Sequence, residues 1–126
     1  MNNIKFSYLY RDAGNYKKWA DVIFSNPDGL TLGAITKTLR GNFLADGLFV
    51  AHQVRLPEVF LSAEEGVTED DHCYHEFDAV EGSFKIPNDW HCRSITEFMA
   101  EVTGEAKRGW RAFDPHDRFL NVGGAA

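Results

Sequence analysis

The chain opens on an alternation. In IKFSYLY, Ile4, Phe6, Tyr8 and Tyr10 fall on one face, with Lys5, Ser7 and Leu9 on the other; a period of two is the mark of a strand. RDAGNYK interrupts it with Gly14 and Asn15, which suit a turn. KWADVIFSN then reads as a second strand, with Ala20, Val22 and Phe24 on one face and Trp19 and Ile23 on the other. Apolar residues on both faces predict a central position in the sheet. The two strands form a hairpin with a longish loop.

NPDG at residues 26–29 signals a turn. Thr31 beyond it predicts a capped helix through Arg40, with Leu32, Ile35 and Leu39 on the buried stripe and Gly41 and Asn42 at its end. GLFVAHQVRLP reads as a strand that Pro57 stops, with His52 as a hydrogen-bonded sheet histidine. EVFL suggests a short strand of its own, and residues 62–71 an acidic loop. CYHEFDAV is a further strand and GSFKIPNDW an irregular connection. Ser94 and Glu97 make a capping box for a helix whose stripe is Ile95, Phe98, Met99 and Val102, ending near Gly104.

These elements predict one domain over residues 1–106 and a basic, aromatic arm over 107–126, held down by Trp110, Phe113 and Phe119 and frayed at GGAA. Short connections favour an α+β two-layer sandwich in ββαβ(β)βα order. It has a mostly antiparallel sheet of about four to five strands and two helices on one face.

Composition changes this picture little. A chain of 126 residues is one domain with room for a real core. Aromatic residues at 13% are numerous for that size, which calls for a well-filled core or an exposed aromatic patch. A net charge of -6 argues against direct nucleic-acid binding, which needs a basic surface. The charge is unevenly spread: residues 56–84 hold nine acids and no Lys or Arg, and residues 107–118 hold four basic residues. Cys73 and Cys92 are too few for a disulfide framework. With no apolar leader and no run long enough to cross a membrane, a cytoplasmic protein is expected.

The densest chemistry is EDDHCYHEFD at residues 69–78. On a strand His72 and His75 point to opposite faces, while Cys73 and His75 share one. That splits the tempting HxxHE motif. A metal would need Cys73 and His75 with His91 or Cys92 brought in from the later loop. No recognisable nucleophile accompanies His75, Glu76 or His52. DAGNYKK is neither a P-loop nor a dinucleotide fingerprint, although Arg11, Asp12, Asn15, Tyr16 and Lys17 offer donors and acceptors on one loop. The plain alternative is a loop stapled by its own side chains. Trp110 and Arg111 make the arm a candidate homodimer contact.

SYLYRDAGNYKKW, VIFSNPDGLTL, DDHCYHEFD and SITEFM together resemble a family of small uncharacterised bacterial proteins with YRD…NYK, F-x-NP and DHxxHEF segments. The resemblance covers roughly residues 4–102. It implies a compact α+β fold and directs attention to Tyr10, Arg11, Asp12, Asn15, Tyr16, Lys17, Asn26, Pro27, Asp71, His72, His75, Glu76 and Phe77.

The expected function is therefore non-catalytic. The protein binds a protein partner through the acidic stretch 64–71, including Asp70 and Asp71, with His72, His75 and Glu76, without a cofactor. An inhibitory protein of a mobile element has this size and charge. The competing expectation is a small metal-dependent or acid–base enzyme centred on His72, His75 and Glu76.

Overall fold

The computed structural model describes residues 2–60 and 72–115. Four antiparallel strands form one sheet in the order β2-β1-β4-β3. β1 (Asn3–Arg11) pairs with β2 (Lys17–Phe24) in one unbroken register, from Ile4 opposite Phe24 to Arg11 opposite Lys17. On its other side β1 takes β4 (His75–Ser83), with a bulge between Ser7 and Tyr8 that leaves Asp78 without an opposite residue. Two helices, α1 (Leu32–Asn42) and α2 (Ile95–Arg108), complete the α+β architecture expected from the sequence.

The core lies between one sheet face and both helices. Ile4, Phe6, Tyr8, Val22, Phe24, Phe77 and Val80 meet Ile35 and Leu39 of α1 and Ile95, Phe98 and Val102 of α2. Aromatic rings fill its centre: Phe6 packs against Phe24, Phe49, Phe77 and Phe98 with centroids 5.1–6.4 Å apart. The high aromatic content is thus mainly core.

The helix ends follow their sequence signals. Thr31 Oγ1 accepts from the Ala34 N–H at 3.2 Å. The Ser94 hydroxyl accepts from Glu97 N–H, and the Glu97 carboxylate accepts from Ser94 N–H. Replacing Ser94 with Ala removes one half of that reciprocal cap and should cost about 1 kcal/mol in a urea titration. The NPDG turn closes through Asn26, whose amide exchanges hydrogen bonds with the Leu30 backbone. Gly29 there has φ 62, a value that favours glycine.

Several expectations fail, each for a physical reason. β2 is an edge strand rather than a central one: Ile23 is buried, whereas Trp19 on the same face is 57% exposed. The expected strand over GLFVAHQVRLP shrinks to β3, only Leu48–Phe49. A 3-10 turn over Ala51–Val54 follows, and Arg55 in a left-handed conformation closes it. That turn buries Ala51 and Val54 at a spacing of three, so the same apolar run serves a tighter geometry. His52 consequently sits on a turn and not in the sheet. EVFL forms no strand over residues 58–60, and Leu61 lies outside the described residues. Leu32 is exposed on α1. α2 runs past Gly104 to Arg108, where Gly109 caps it.

The segment after α2 returns to the core. The Trp110 indole donates to Asn42 O at 3.0 Å and packs 6.0 Å from Phe43. Gln53 holds the same segment, donating to Glu105 and accepting from Arg111 N–H. Phe119 and the GGAA end lie outside the described residues.

Candidate functional site

Residues 72–76 alternate in burial as a strand would: Cys73 and His75 point inward, while His72, Tyr74 and Glu76 face outward. The outward side chains meet the start of the hairpin loop. Arg11 grips Glu76 with two hydrogen bonds, Nε to Oε1 and Nη2 to Oε2, each 3.1 Å. His72 Nδ1 accepts from Tyr74 N–H at 3.0 Å, so its neutral ring carries the proton on Nε2, which donates to Arg11 O at 2.6 Å. One imidazole thus fastens β1 to the approach of β4.

Around these residues lies a cleft of about 310 Å³ lined by Arg11, Asp12, Ala13, Asp46, Leu48, His72, Tyr74 and Glu76. It joins the two polar segments singled out in the sequence, YRD and DHxxHE. Asp12 also shapes the loop, its carboxylate accepting from Tyr16 N–H. The hairpin loop is stapled further by Asn15, whose side chain accepts from Arg11 and whose backbone has φ 68.

Other candidates fall elsewhere. Tyr10 is fully buried, its hydroxyl accepting from His72 N–H and its ring packed on His72 and His75. Tyr16 and Lys17 are exposed on the β2 side and do not line the cleft. Asp70 and Asp71 lie outside the described residues. Trp110 is half-buried against its own domain.

His75 belongs to the core. Its ring is closed in by Tyr8, Tyr10, Phe49 and Phe60, with centroids 4.7–6.3 Å away. Nε2 accepts from Val59 N–H at 2.9 Å, and Nδ1 has no partner among the described residues. Burial, reinforced by the neighbouring imidazoles of His72 and His52, pushes its pKa down to about 3. Burial also pushes the neighbouring Tyr8 phenol up, with the Asp21 charge adding to it.

The alternative metal set is not assembled. His75 is sealed among aromatic rings, Cys73 is buried, and His91 lines a separate cleft of about 320 Å³ with His52, Arg55, Glu58 and Trp90. No group of three or more His, Cys, Asp or Glu among the described residues is placed to hold a metal ion.

Asp46, Leu48 and Tyr74 join the cleft without having been singled out in the sequence. Tyr74 was legible, because period two puts it on the face of His72 and Glu76. Asp46 was not: it enters the cleft from a tight turn with φ 62, in a stretch between two stronger signals.

The fold and cleft define an α+β protein with an acidic surface recess. The chain matches no known family model, no curated protein and no solved structure. Among the described residues, no helix is long and apolar enough to cross a membrane.

Proposed function

We propose that the protein is a non-catalytic binding module whose cleft accepts a cationic side chain of a protein partner. One observation carries this. Asp12, Asp46 and Glu76 line the recess against the single guanidinium of Arg11, and Arg11 is already spent on Glu76. Asp12 and Asp46 are left to meet an incoming Lys or Arg, and the adjoining sequence is rich in acids. The imidazoles give no support to acid–base chemistry here. Both nitrogens of His72 are engaged by backbone groups, and His75 does not reach the recess.

Titration with a lysine- and arginine-rich peptide, followed by amide NMR shifts, tests the proposal. Shifts should centre on Asp12, Ala13, Asp46 and Tyr74 and fade as salt is raised. Asp46→Lys, at an exposed position, should weaken binding by about tenfold. Shifts scattered over the surface, or an affinity unmoved by Asp46→Lys, would sink the idea.

A further inference from the structure

The outer edge of the sheet carries a second surface, independent of the cleft. Along β2, Phe24, Val22, Ala20 and Lys18 alternate with residues whose backbone groups point away from β1. Ile23 fixes which set that is: its N–H donates to Asn88 Oδ1 at 2.7 Å, and its carbonyl accepts from Asn88 N–H at 3.0 Å. By strict alternation, the N–H and C=O of Lys17, Trp19 and Asp21 also point outward. Among the described residues, no backbone–backbone bond outside the β1–β2 ladder reaches these three.

The open stretch is bounded. Asn88 closes it at Ile23, and the hairpin turn ends it before Lys17. What remains, residues 17–21, has Trp19 at its centre, with Lys17 two positions before and Asp21 two positions after. All three side chains are exposed and lie on the same face of the sheet.

We infer that this edge pairs with the same edge of a second copy, antiparallel about a two-fold axis at Trp19. In that register Lys17 faces the second copy's Asp21, Asp21 faces its Lys17, and the two Trp19 side chains lie side by side. Each facing pair exchanges both N–H···O=C bonds. A strand that meets itself antiparallel pairs position i with a fixed sum minus i, so a charge pattern is self-complementary only when opposite signs flank the centre evenly. KKWAD satisfies this at the register that pairs all three outward positions of the open stretch. Lysines on an edge normally repel a neighbouring strand. Here the second copy's Asp21 neutralises Lys17, so the pattern selects for self-pairing over an arbitrary strand. The exposed Trp19, 57% accessible, is of the residue type that anchors interfaces.

Sedimentation equilibrium of the full chain, with its charge and proline variants, tests this. The native protein should show a concentration-dependent dimer. Lys17→Asp or Asp21→Lys alone sets like charges opposite at both symmetric positions and should weaken the dimer by about tenfold. The two changes together restore opposite signs and should recover it. Trp19→Pro removes the central outward N–H, a substitution an edge strand accommodates, and should give a monomer with unchanged far-UV circular dichroism and unchanged peptide binding at the cleft. The inference is overturned by a native monomer at every soluble concentration, which would leave the edge to an extended segment of some other protein. Failure of the double charge swap to recover the dimer, or a dimer that survives Trp19→Pro, overturns it equally.

Discussion

Arg93→Ala should destabilise the protein by about 3–5 kcal/mol. The guanidinium is almost completely buried and meets five acceptor oxygens. Nε and Nη2 hold the two oxygens of Asp89 at 2.9 and 3.0 Å. Nη1 donates to Val54 O at 2.6 Å, and Nη2 to Arg55 O at 3.0 Å. Nη1 also lies 3.4 Å from Glu101 Oε1. The apolar side of the plane rests on Phe24 and Phe98, 5.8 and 5.2 Å from their centroids. Burial pushes the Asp89 carboxyl up, and the hydrogen bonds and charge of Arg93 outweigh it, holding the group below the usual carboxylate range. Removing Arg93 therefore strands a buried carboxylate and two backbone carbonyls. Against a total stability of about 5–15 kcal/mol, that loss leaves little margin. Arg93→Met keeps apolar cover against the stacked Phe24 and Phe98 rings but still strands Asp89, and adding Asp89→Asn should return part of the loss. Urea unfolding checks the series; a midpoint barely moved by Arg93→Ala would show that the pair contributes no more than a surface contact.

The second large effect is acid unfolding driven by His75. The ordinary histidine pKa near 6.5 applies to the unfolded chain, while the folded value is pushed down to about 3. Between these values the unfolded state binds a proton that the folded state refuses. Stability is thus fully present above about pH 6.5 and falls as pH drops, at about 1.4 kcal/mol per pH unit from this one group. Asp89 adds its share lower down, since a depressed carboxylate is lost only as pH falls through its own range. Chemical denaturation at a series of pH values should show the slope beginning near pH 6.5. His75→Gln keeps an acceptor for Val59 N–H and removes the titration. It should lower stability at neutral pH yet flatten the slope, and an unchanged slope in that variant would place the titrating group elsewhere.

The hairpin, both helix caps and the α+β class were legible because each rests on contacts within a few residues. Ser94 and Glu97, or Thr31, carry their partners with them in sequence. The face assignment of His72, Cys73 and His75 was legible too, since period two alone dictates it. What lay out of reach was whatever depends on distant partners. The apolar Ile23 suggested a central β2, but its outer backbone groups meet Asn88, 65 residues on, and not a further strand. Asp89 and Arg93 stand four apart in a stretch that reads as an irregular connection, and nothing local says that their ion pair is buried. His75 looked like a site because His, Glu and Asp crowd around it in sequence; in space its neighbours are aromatic rings. The cleft was half legible, with YRD and DHxxHE identified separately and Asp46 absent.

The strand order also dates the folding of the chain during its synthesis. β1 is the first of the strands to leave the ribosome, yet it lies between β2 and β4, so its second neighbour arrives only when residues 75–83 have emerged. Until then Ile4, Phe6, Tyr8 and Tyr10 belong to a two-stranded hairpin with α1 as its one helical cover, and a hairpin is marginal in water by itself. The helix that closes over Phe6 and Phe24 comes later still, at 95–108. At translation rates of about 5–20 residues per second, the nascent aromatic face waits several seconds for its cover. Folding therefore waits on the emergence of α2, and a ribosome-stalled fragment ending before β4 should engage chaperones rather than form a native hairpin.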